Sequence, residues 1–312
     1  MGQILPKSDS RSGRLTGPDR FSRITRHVPW PVLWFSITRL SETGMGRRLL
    51  NRIDPSVVSK YIIAVQRSCA ALGLSREQTE REISRLYRNS VLQSCLLCRS
   101  ALLTNEQLQV AFTVEGYEHF VSERTAGRPV IFAGTHFGVN RLFPVWLARQ
   151  GIGLLSLEGG DRMKALAIPV PETLRTLNLT SGFTAQATLA AVRELQAGGC
   201  INITAERMQD FGEQSTKRQW PGIEMQFLLG LPNLALASGA SIHPYFCTLE
   251  PSGRVRVEIK PPIRPPTEVA PVGTPARQQQ IESLVDEFAK VFRAEVERAP
   301  GNLRTSAREA AQ

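Results

Sequence analysis

Only four histidines occur in the chain, and His136 is the one placed for chemistry. It lies in Gly134-Thr-His-Phe-Gly138, directly after the unbroken apolar run Pro129-Val-Ile-Phe-Ala133. Such a run reads as a buried parallel strand. A turn leaving that strand exposes its side chain at the carboxyl end of a sheet, beside backbone N–H groups able to hold developing negative charge. An imidazole there suits general-base work. A structural histidine in a tight turn is the alternative that position alone leaves open. Glu206 is a second candidate, since it follows the strand-like segment 200–204. A carboxylate at that place can orient a base or hold water, or it is solvated loop charge. Arg207, Lys217 and Arg218 make a basic loop before Trp220. It could hold the phosphates of CoA, phosphopantetheine or a phospholipid, or the acidic helix of a carrier protein; an exposed solubilising loop is the plainer use.

Other chemistries lack their signatures. There is no His-Glu-x-x-His, no pair of Cys sets and no Asp-rich loop, so no metal is expected. A Gly-x-Ser-x-Gly elbow, a P-loop and a Gly-x-Gly-x-x-Gly turn are all missing, which argues against a serine hydrolase, nucleotide-driven chemistry and a dinucleotide cofactor. Cys95-Leu-Leu-Cys98 stands alone inside a helical pattern and reads as two buried cysteines on one face. His243, before Pro244, reads as core, and His27 and His119 carry no signal.

The elements that must position His136 follow from periodicity. Ile62, Val65, Cys69 and Leu72 recur at helical spacing within a helical stretch from 55 to 103, and Ser75 ahead of Glu77 and Gln78 resembles a helix start. Val110, Phe112 and Val114 alternate like a strand. Strands are then expected over 129–133, 152–157, 200–204, 241–249 and 255–260, with helices over 116–126, 140–150, 184–197, 231–238 and 276–296. This alternation predicts a single α/β domain with a largely parallel central sheet, preceded by a helical N-terminal section. The division expected is a basic flexible leader (1–25), a helical section (26–104), the α/β domain (105–300) and a flexible tail (301–312).

Composition sets the outer limits. The 312 residues are 42% hydrophobic and 21% charged, an ordinary globular balance. Five cysteines do not make a disulfide scaffold, so a reducing, cytoplasmic setting is expected. The net charge is +10, and residues 1–50 hold nine Lys/Arg against three acids, so +6 of it lies in those first fifty residues. No apolar run reaches the length of a membrane span. Basic residues followed by Trp30, Trp34 and Phe35 suit peripheral contact with an anionic membrane surface, or a leader packed on the domain. No zinc-finger spacing or aromatic-basic motif supports nucleic-acid binding.

The segment Gly127-Arg-Pro-Val-Ile-Phe-Ala-Gly-Thr-His-Phe-Gly138 resembles the first motif of the bacterial late lipid A acyltransferases, within the lysophospholipid acyltransferase superfamily. Val114-Glu-Gly116, Trp220-Pro-Gly222 with Gly230 eight residues on, and Leu234-Ala-Leu-Ala-Ser-Gly-Ala240 with His243-Pro244 continue the resemblance in order over roughly residues 85 to 300. It implies a glycerolipid-acyltransferase-type domain that moves a fatty acyl group from acyl-carrier protein or acyl-CoA to a hydroxyl or amine at the cytoplasmic face of the inner membrane. No cofactor and no acyl-enzyme are implied. His136 would be the general base, and Gly138, Asn140, Arg207, Lys217, Arg218 and Gly222 would border the substrate. In that family Glu or Asp stands five residues after the histidine; here Arg141 does. A guanidinium cannot accept a hydrogen bond from imidazole. Three readings stay open. Another acceptor orients His136, namely the Asn140 amide, Glu158, Asp161, Glu206 or a backbone carbonyl. Or Arg141 clamps an anionic substrate group beside an unassisted histidine. Or the chain binds acyl or carrier groups without catalysis.

Overall fold

The computed structural model describes residues 24–53, 59–158, 171–179, 185–206, 215–220 and 222–304. Among the described residues, ten helices and nine strands run in the order α1 (Trp30–Glu42), α2 (Gly44–Ile53), α3 (Ser59–Ala71), α4 (Arg76–Ser100), α5 (Asn105–Ala111), β1 (Phe112–Glu115), α6 (Tyr117–Thr125), β2 (Val130–Gly134), α7 (Leu142–Arg149), β3 (Leu154–Glu158), β4 (Leu174–Asn178), α8 (Ala185–Gln196), β5 (Cys200–Thr204), β6 (Ser215–Trp220), β7 (Ile223–Leu228), α9 (Gly230–Ser238), β8 (Ser241–Leu249), β9 (Val255–Ile259) and α10 (Pro275–Arg298).

Seven strands form one sheet in the order β1-β9-β8-β2-β5-β3-β4. Strands β8, β2, β5, β3 and β4 are mutually parallel, and only the β8–β9 pairing is antiparallel. Alternation along β2 divides the core. Ile131 and Ala133 pack with α3, α8, α9 and α10, while Val130 and Phe132 pack with α1, α6 and α7. Helix α4 serves both sides, with Ile83 and Leu86 in the first cluster and Leu92, Cys95 and Cys98 in the second. At about 2 kcal/mol for each fully buried large apolar side chain, both faces are needed to hold the central strand.

Local chemistry explains where elements begin. Ser75 and Gln78 make a reciprocal capping box that starts α4, as their spacing suggested. Thr104 and Gln107 form a second box and start α5, which overrides the alternation seen at 110, 112 and 114. Val110 is therefore helical and 73% exposed, and the strand begins only at Phe112. Three strands lie outside the expectation: β4 and the antiparallel hairpin β6–β7. Of the expected flexible tail only residues 301–304 are described, and they are ordered. Pro300–Asn302 is a 3-10 turn, and Gly301, Asn302 and Leu303 are buried. The expected leader falls almost wholly outside the described residues.

Candidate functional site

Strand register brings the site together. Parallel β2 and β5 pair Gly134 with Thr204. Two residues further along each chain, His136 and Glu206 therefore lie side by side. Glu206 Oε1 accepts two hydrogen bonds from His136, from the backbone N–H at 2.5 Å and from Nδ1 at 2.8 Å. The Glu206 side chain is fully buried, while that of His136 is 26% exposed. One carboxylate oxygen thus fixes the turn and the ring together. With Nδ1–H committed to Glu206, the lone pair belongs to Nε2, which makes no hydrogen bond among the described residues. Glu206 Oε2 and the Thr135 hydroxyl are buried with no hydrogen-bond partner among the described residues, each a cost of about 1–3 kcal/mol.

The turn is stitched on both flanks. On one side Gly138 N–H donates to Asn302 O and Arg304 N–H donates to His136 O, both at 2.7 Å. On the other, Val139 N–H donates to Cys247 O at 2.9 Å. Gly138 has φ +61°, and a Cβ there would collide with the Cys247 carbonyl oxygen. Phe137 N–H is spent on Thr135 O. Every backbone N–H from His136 to Val139 is thus used inside the chain, contrary to the expectation that they hold developing charge. Phe137 anchors the turn below, edge-on to Phe246 and Phe292 at centroid distances of 5.7 and 6.0 Å.

A buried polar chain runs beneath. The Tyr245 hydroxyl donates to Asn202 Oδ1 at 2.8 Å, Asn202 Nδ2 to Ser156 Oγ at 3.0 Å, and Ser156 Oγ to Glu158 Oε1 at 2.9 Å. Tyr245 on β8 reaches β5 by crossing over β2 at Gly134, where any Cβ would press on its hydroxyl. Burial pushes the Tyr245 phenol well above its usual range, and the nearby carboxylates of Glu158 and Glu206 add to it. Glu158 is therefore held by Ser156, and the histidine's partner is Glu206.

The other expected residues are dispersed. Arg141 is exposed at the head of α7. Burial raises the Tyr61 phenol, and the positive charges of Arg304 and Arg141 oppose that rise, which places both guanidinium groups toward one tyrosine. Nothing in the spacing of Tyr61 or Arg304 announces that neighbourhood. Asn140 is buried. The basic loop is corrected: Lys217 and Arg218 stand on β6, where Lys217 pairs with Glu224 at 3.0 Å and Arg218 with Glu282 and Asp286 of α10. Gly222 is at the far tip of that hairpin, against the Arg67 carbonyl, whereas Phe227 bridges to Glu206. Arg207 and Asp161 lie outside the described residues. Cys95 and Cys98 are buried and form no disulfide among the described residues. His243 is buried in the core, where desolvation lowers its pKa to about 4. Among the described residues no group of three or more His, Cys, Asp or Glu could hold a metal ion.

Neither a protein-family model nor a curated protein matches the chain by sequence. The class defined by fold and geometry is an α/β protein with a mostly parallel seven-stranded sheet and a histidine–glutamate pair at its carboxyl end.

Proposed function

We propose that the chain is an acyltransferase of the lysophospholipid acyltransferase type. It would move a fatty acyl group from acyl-carrier protein or acyl-CoA to a hydroxyl or amine acceptor. The observation that carries this reading is the buried Glu206 carboxylate on His136 Nδ1, which leaves Nε2 open. His136 Nε2 takes the acceptor proton as the acceptor oxygen or nitrogen attacks the thioester carbonyl. The tetrahedral species collapses with cleavage of the C–S bond, and the departing thiolate recovers the proton from the imidazolium. Glu206 holds the tautomer and stabilises the cation throughout. Arg141 serves as a clamp for an anionic group of donor or acceptor. The acid of the pair thus comes from a strand 70 residues away in sequence, not from the position five residues after the histidine.

A peripheral site at the cytoplasmic face of the inner membrane accompanies this reading. Among the described residues no helix is long and apolar enough to cross a membrane. Helices α1 and α2 expose Val32, Phe35, Met45 and Leu49 close in sequence to Arg39, Arg48 and Arg52, a combination that suits an anionic surface.

One observation favours a second reading, a non-catalytic acyl- or carrier-binding protein. The N–H groups of residues 136–139 are all engaged internally and offer the oxyanion nothing. A mass-spectrometric transfer assay separates the two, using wild type and His136→Ala against acyl-CoA and acyl-carrier donors with lipid and amine acceptors. Transfer by wild type that His136→Ala abolishes supports the enzyme. Carrier binding without turnover over the whole panel supports the binding protein.

A further inference from the structure

Packing alone accounts for Phe132 and Phe143, which share one buried cluster with Tyr245. It does not account for a tyrosine beside them. Tyr245 is buried and its ring centroid lies 4.5 Å from that of Phe143. Phenylalanine would fill the same space with no hydroxyl to desolvate. That hydroxyl is instead the first donor of a chain. It donates to Asn202 Oδ1 on β5, Asn202 Nδ2 donates to Ser156 Oγ on β3, and Ser156 Oγ donates to Glu158 Oε1. Each hydrogen bond points the same way, toward a half-buried carboxylate, and the three residues before it are buried. A satisfied chain of this kind holds its members in one arrangement.

The chain starts over the point from which the histidine turn leaves. The phenol lies against Gly134, the last residue of β2, so closely that a Cβ there would come within 2.5 Å of the hydroxyl oxygen. Gly134 O accepts from Ala205 N–H at 2.8 Å. His136 follows two residues after Gly134, and Glu206 follows directly after Ala205. The tyrosine thus backs the rung from which both members of the pair depart, and its hydroxyl ties that rung to β5 and β3.

We propose that Tyr245 is a positioning residue for the histidine–glutamate pair. Its hydroxyl, anchored through Asn202 and Ser156 to Glu158, fixes where β2 and β5 release their turns and so keeps His136 Nδ1 on Glu206 Oε1. Its consequence for turnover rests on the acyl-transfer reading; its hold on the pair does not.

Magnetic resonance of the full chain carrying isotope-labelled histidine tests the assignment. An Nδ1–H held by a buried carboxylate resonates far downfield, and the signal lost in His136→Gln is that of the pair. Tyr245→Phe alone strands Asn202 Oδ1 and should lower Tm by a few degrees. The informative variant therefore adds Asn202→Leu, which removes both partners together. In this double variant Tm should return to within about 2 °C of wild type. The His136 signal should nevertheless move upfield or broaden, and kcat for transfer should fall about tenfold to a hundredfold with KM within about threefold. A wild-type signal or a wild-type kcat in the double variant would reduce Tyr245 to packing and overturn the assignment. Glu158→Ala, at the half-buried end of the chain, decides the matter if the double variant does not fold. It should disturb the signal in the same sense, and an unchanged signal would again overturn the assignment. A displaced signal with no transfer by wild type upholds the positioning role and sinks the reaction. Transfer by wild type that the double variant equals upholds the reaction and sinks the positioning role.

Discussion

Glu206 holds the backbone and the ring of one histidine with a single oxygen, so its removal releases both. Arg141 is exposed at a helix head and makes neither of those bonds, and the two kinds of residue should separate kinetically. Arg141→Ala is expected to raise KM for an anionic substrate about tenfold or more while kcat stays within about threefold, read from steady-state transfer rates. His243 gives a prediction independent of catalysis. Its folded pKa of about 4 lies below the unfolded value near 6.5, so the unfolded chain binds the extra proton. The stability gained by keeping His243 neutral is therefore complete above about pH 6.5 and is lost as pH falls toward 4, a total of about 3 kcal/mol. Urea unfolding at pH 7 and pH 4.5 should show a smaller acid-side loss in His243→Gln than in wild type.

Among the elements, the segment Pro300–Asn302 and the two residues after it behave as a strap across the histidine turn. Asn302 is central to it, since its carbonyl accepts from Gly138 N–H and its Oδ1 accepts from buried Asn89 Nδ2 at 2.6 Å. Asn302→Ala leaves the Asn89 amide buried and unmatched, a cost of about 1–3 kcal/mol in thermal unfolding. It should also lower kcat more than it raises KM, because the slack falls on the turn that aims His136. The strap was not legible in the sequence: Gly301-Asn-Leu is short and aperiodic, and it gains order only from α4 and the turn it crosses. The turn was legible, because an unbroken apolar run followed by Gly-x-x-x-Gly can do little else than end a buried strand. Glu206 was visible as a carboxylate after a strand, yet its pairing with His136 depends on β5 lying next to β2, which local pattern does not encode. The hairpin β6–β7 was missed although Ile223, Met225 and Phe227 alternate, since Ser-Thr-Lys-Arg-Gln before Trp220 resembles a loop until Glu282 and Asp286 of α10 neutralise Arg218. Val110 misled in the opposite sense, because a capping box three residues wide outweighs three alternating apolar positions.

At the scale of the whole molecule, helices α1 and α2 present apolar side chains and arginines together, while the His136–Glu206 pair sits at the carboxyl end of the sheet. The surface should bind vesicles containing about a third anionic lipid, weaken as salt rises, and bind several-fold less in Phe35→Glu by co-sedimentation. That contact would locate the protein without defining its chemistry, which on the proposed reading rests on His136 and Glu206 acting as one unit. A double-mutant cycle on acyl transfer reads this most directly, comparing wild type, His136→Ala, Glu206→Gln and the double variant in single-turnover reactions. The account predicts that Glu206→Gln alone lowers the transfer rate by about 10²–10⁴ and that the double variant is no slower than His136→Ala. Wild-type rates in Glu206→Gln, or losses that multiply in the double variant, would contradict it.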